Sequence, residues 1–67
     1  MKFEVLGEIM KERHITGYWI SKRTGIASPD VYAAINGTKP MYPGYKKRIA
    51  EALELSVDYL FPPEDEN

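Results

Sequence analysis

The sequence predicts an all-α domain of five short helices, on three observations. Apolar residues recur at i, i+3 and i+4, as in Phe3, Leu6 and Met10 or Val31, Ala34 and Ile35. Glycine or proline stands where three of the five helical segments stop, at Gly25, Gly37 and Pro62. A hydroxyl residue precedes three of the stripes, at Thr16, Ser28 and Ser56, where an N-cap is needed.

The first helix is expected over residues 3–13, with Val5 and Ile9 widening its apolar stripe and the charges between them. Carboxylates at Glu4, Glu8 and Glu12 describe a solvated face. His14, Ile15 and Thr16 form the link, and His14, the single histidine, reads as an exposed residue at a helix end. The second helix, 17–24, turns on Ile20, with Ser21 small enough to sit against a neighbour. Gly25 is suited to a left-handed stop, and Ile26 drops back into the core. The third helix opens on Ser28 as N-cap, Pro29 at the first helical position and Asp30 in the first turn. It buries Val31, Ala34 and Ile35 and ends at Asn36 and Gly37. Helix, glycine turn, helix is the layout of a helix-turn-helix.

Residues 37–44 hold two prolines and two glycines and read as a shaped loop. A fourth helix is expected over 45–53, burying Ile49 and Leu53 with Ala52 beside them. Ser56 caps a fifth that ends at Phe61. Pro62 and Pro63 stop it, so residues 1–61 form one domain and 62–67 an acidic tail.

Sixty-seven residues bury only about 60% of their unfolded surface, so the core is small. With 43% hydrophobic and 28% charged residues the chain is globular. The absence of cysteine excludes disulfides and thiolate metal sites. No apolar run reaches membrane-spanning length. Lys2 is followed by Glu4 and Glu8 instead of a signal-peptide apolar stretch, and the expectation is a cytoplasmic protein. The net charge of −1 conceals a polarised chain. Residues 16–48 carry Lys22, Arg23, Lys39, Lys46, Lys47 and Arg48 against Asp30 alone, while residues 49–67 hold six acids and no base. Beyond a Debye length of about 8–10 Å the acidic end is largely screened, so a basic face can still meet DNA. Neither a nucleophile–base pair nor a phosphate-binding glycine loop nor a metal-ligand cluster is legible. The expectation is therefore no enzyme, with no cofactor, metal, small-molecule substrate or membrane partner.

Ile20, Ser21, Gly25, Ile26, Val31, Asn36 and Gly37 stand at offsets that resemble the phage Cro/repressor class of helix-turn-helix proteins. The resemblance continues through residues 48–53 and 56–61, and covers roughly 3–61. It implies a lambda-repressor-like domain with helix-turn-helix at helices 2 and 3, acting as a transcriptional repressor or Cro-like regulator. A homodimer on a palindromic double-stranded operator follows from the same likeness. The implied base-contacting positions are Ser28, Pro29 and Ala33, with Tyr32 beside them, its alternative role being to cover the seam between helices 2 and 3; Asp30 could accept from cytosine but suits capping better. None of these can make the bidentate contact that glutamine or arginine offers. Thr16 and the Gly17 N–H, at a helix start, suit a phosphate, although Gly17 replaces a glutamine common in relatives. Asn36, Thr38, Lys39, Tyr42 and Lys46 are the further phosphate candidates by analogy. Lys22, Arg23, Lys47 and Arg48 read equally as solvated charge. Trp19 stands at a position usually exposed in this motif and either folds over helix 1, the more common outcome, or belongs to a partner surface. Met10 and Ile35 stand where relatives carry an ion pair, and are expected to touch. Glu54 stands where many relatives end helix 4 with glycine, and a non-glycine residue there carries a small left-handed penalty or else the turn differs. The strip around Leu55, Tyr59 and Phe61 is the expected dimer surface. The rival expectation is a protein-interaction module, antitoxin-like or anti-repressor, with little or no DNA binding.

Overall fold

The computed structural model describes residues 3–63, and the acidic tail beyond Pro63 lies outside them. Five helices follow one another: α1 Glu4–Arg13, α2 Gly17–Thr24, α3 Ser28–Asn36, α4 Pro43–Leu53 and α5 Val57–Leu60. No strand occurs among the described residues. None of these helices exceeds 11 residues. Isolated helices that short are marginal in water, so packing must hold them.

That packing is one apolar cluster. Phe3, Leu6, Met10, Ile20, Ile26, Val31, Ile35, Ile49, Ala50, Leu53, Leu60 and Phe61 are all buried in it. Met10 and Ile35, expected to meet, both lie in this cluster. α2 packs on α3 and α4, α4 on α5, and α5 on α1. Phe3 and Phe61 meet edge to face at the junction of α1 and α5, their centroids 5.4 Å apart at 82°. Arg13 adds a polar clasp, its Nη1 donating to the Leu53 carbonyl at 2.9 Å. This joins the C-terminal ends of α1 and α4, whose last carbonyls lack helical partners.

Four expectations change. Phe61 is 2% exposed and part of the core, so it does not belong to a dimer surface. Ala50 is buried where Ala52 was expected; Ala52 is only half-buried. α4 begins at Pro43, two residues early, because proline's fixed φ suits a first helical turn. Ser28 is not the N-cap of α3: Ala27 occupies that position without a side-chain bond, and Ser28 is the first helical residue. The Thr16 and Ser56 caps form, their hydroxyls accepting from the Trp19 and Tyr59 N–H groups at 3.1 Å each.

Candidate nucleic-acid interface

The turn between α2 and α3 is knitted by short bonds. The Ser21 hydroxyl donates to the Ile26 carbonyl at 2.6 Å. The Thr24 hydroxyl donates to Ile20 at 2.7 Å and accepts from the Ile26 N–H at 3.2 Å. Gly25 has φ 80°, a conformation in which a Cβ would be strained. With Ile26 buried beneath the turn, the angle between the two helices is held at both ends.

α3 therefore has a fixed inner face and an open outer one. Val31, Ala34 and Ile35 are buried, while Pro29, Tyr32 and Asn36 are exposed and Ser28, Asp30 and Ala33 half-buried. Of the four expected base contacts, Pro29 and Tyr32 are thus the open pair. Tyr32 is not directed simply outward. A Cβ at position 17 would stand 2.6 Å from its Cζ and 2.7 Å from one Cε. The ring lies where a side chain of residue 17 would be, and Gly17 is buried beneath it. Absence of a side chain on α2 is what lets an aromatic ring of α3 lie across the seam.

Around this face the expected phosphate positions divide. Thr16, Asn36, Thr38 and Tyr42 are exposed. The Thr16 hydroxyl accepts the capping bond and keeps its own proton to donate. After α3 the chain doubles back: the Thr38 and Lys39 N–H groups both donate to the Ala33 carbonyl, at 2.9 and 3.2 Å. The Thr38 hydroxyl donates to the same oxygen at 3.2 Å. This return brings Lys39 Nζ to 2.9 Å from Asp30 Oδ1. The hydrogen bond that Lys39 donates to Asp30, with the charge of that carboxylate and the nearby Tyr45 and Tyr42, raises the Lys39 pKa above its ordinary value, and desolvation opposes it. Lys46 is half-buried on α4, its ammonium 5.8 Å from the Phe61 ring.

The Asp30–Lys39 pair was invisible to sequence reasoning, since nine residues separate the partners and no helical spacing links them. Trp19 is half-buried against the core, with the Arg23 guanidinium 4.8 Å from its ring. Lys22 sits likewise 5.3 Å from Tyr18. These two cations thus cover aromatic faces on the outside of α2. His14 is exposed, and among the described residues no three His, Asp or Glu side chains gather where they could hold a metal ion. No helix of the described chain is long and apolar enough to cross a membrane. Comparison with protein-family models, with curated proteins and with solved structures finds no match to this chain.

Proposed function

We propose that the chain is a sequence-specific DNA-binding regulator, a repressor or Cro-like protein of lambda-repressor-like fold, with α3 lying in the major groove. The observation that carries this reading is the open outer face of α3 beside the start of α2. Pro29, Tyr32 and Asn36 are uncovered there, while the opposite face of the same helix is sealed in the core. Direct readout rests on few atoms. Ser28 offers one hydrogen bond, and Pro29 and Ala33 offer apolar contact, for example to a thymine methyl. Phosphates are met by Thr16 and the first turn of α2, by Asn36 and Thr38, and by Tyr42 and Lys46 around the return loop. Such contacts position the helix without reading sequence.

Two copies are needed for a palindromic site. The longest extent of the domain is 27 Å, whereas half-sites recur about 34 Å apart along the duplex. One domain does not span them.

A gel shift with the DNA flanking the chain's own gene, run at two salt concentrations, tests the proposal. A retarded complex of two copies per operator that weakens as salt rises is expected. A chain that retards neither this DNA nor random duplex at low salt overturns it. A second reading, a protein-interaction module, is favoured by the largely exposed tyrosines Tyr18, Tyr32, Tyr42 and Tyr59, each at least 45% exposed. Tyrosine is enriched at protein interfaces, and none of Ser28, Pro29, Tyr32 and Ala33 is a bidentate base reader.

A further inference from the structure

Asp30 is the single acid among residues 16–48, and it stands in the first turn of α3. A bare carboxylate there would face the negative potential of a DNA groove. The chain does not leave it bare. Two backbone N–H groups and one hydroxyl tie residues 38 and 39 to the Ala33 carbonyl, three residues after Asp30. From that tether the Lys39 side chain reaches back about one helical turn, 5.4 Å. It meets Oδ1 at 2.9 Å, with the two side chains 33% and 40% exposed. The pair lies at the rim of the face, where either charge alone would be felt by a phosphate within a Debye length of about 8 Å.

We infer that Lys39 serves DNA binding as the counter-charge of Asp30 and not as a phosphate clamp, so that the two side chains act as one neutral unit beside α3. The inference rests on the DNA-binding reading above. It makes Asp30 a specificity-determining residue, because an acid that holds Lys39 away from phosphates lowers the sequence-independent part of binding. Lys39 in turn keeps that acid from repelling the duplex.

Four proteins test it: the parent, D30N, K39A and the double variant, measured by fluorescence anisotropy on a labelled 30-base-pair duplex of random sequence over a salt series. An ion pair this open to water adds little to stability, so all four should melt within a few degrees of one another. Each uncompensated positive charge brought to a phosphate steepens the salt slope by about 0.9, which at 0.1 M salt is about eightfold in affinity. D30N should therefore bind about eightfold tighter than the parent, with the slope steeper by about 0.9. K39A should bind more weakly by a similar factor. The double variant, neutral again at this position, should return to within about twofold of the parent, on the same charge count. If D30N binds like the parent and the double variant stays as weak as K39A, Lys39 is a phosphate clamp and the inference fails alone. If the parent binds no duplex at low salt, the DNA-binding reading fails and takes the inference with it.

Discussion

At the scale of single residues, the seam between α2 and α3 turns on a missing atom. Gly17 needs no unusual backbone angle; what matters is that its Cβ would stand 2.6 Å from the Tyr32 ring. Contacts that short cannot be accommodated without moving one partner. Tyr32 is 45% exposed, so the ring can swing away, at the cost of its packing. Gly17→Ala should therefore destabilise the domain while Tyr32 is present. In a Tyr32→Ala background the same change should stabilise by up to about 0.5–1 kcal/mol, because alanine is the better helix former. A thermal-denaturation cycle over the four proteins measures the coupling. Equal effects of Gly17→Ala in both backgrounds would show that the ring does not occupy this notch. The same geometry explains why neither residue alone announced its role. Glycine at a helix start reads as a lost side chain, and tyrosine on an outer face reads either as a contact or as a cover for the seam between helices 2 and 3, with nothing to name Gly17 as its partner.

At the scale of elements, three helices end in the same way, and the ends at Gly37 and Glu54 were legible while the one at His14 was not. α1, α3 and α4 each close with a left-handed residue, His14, Gly37 and Glu54. In each the next residue bonds back five positions: Ile15 to Met10 at 2.8 Å, Thr38 to Ala33 at 2.9 Å, Leu55 to Ala50 at 3.0 Å. This is the Schellman pattern, which glycine normally marks. After α1 and α4 the apolar residue that follows, Ile15 or Leu55, packs against the core and holds the turn without glycine. Histidine is among the residues that tolerate the left-handed region, whereas glutamate carries its ordinary cost of about 1–2 kcal/mol. Glu54 has φ 58°. Glu54→Gly should stabilise by about 1 kcal/mol, the relieved strain exceeding the entropy that glycine adds to the unfolded chain. In a domain this small that is about 4–8 °C in Tm. A melting temperature that falls on this substitution would mean that the turn carries no such strain.

At the scale of the whole molecule, the two ends of the fold meet in a pair of aromatic rings. Phe61, which follows the last helix, packs on Phe3, which precedes the first. Removing a fully buried phenylalanine costs about 3–5 kcal/mol, comparable with all the stability that a core of this size supplies. Phe61→Ala should accordingly leave the domain largely unfolded at 25 °C by circular dichroism, with or without DNA. A variant that melts like the parent would return Phe61 to the surface. With Phe61 in the core, Tyr59 is the exposed member of the strip first considered for pairing two copies.

Local chemistry was sufficient for the helices themselves. Apolar stripes at helical spacing marked α1 to α4, Thr16 and Ser56 marked two N-caps, and Gly25 marked the turn between α2 and α3, because each acts on its near neighbours in the chain. The outer face of α3 was likewise legible as the face left over once Val31, Ala34 and Ile35 turn inward. What the tertiary structure decided are the contacts between residues far apart in sequence. Tyr32 covers Gly17, Lys39 neutralises Asp30, Arg13 clasps the Leu53 carbonyl, and Phe61 turns in to Phe3. A periodic pattern records which way a side chain points from its own helix. What it meets depends on how the helices cross, and that follows only when the whole core packs at once.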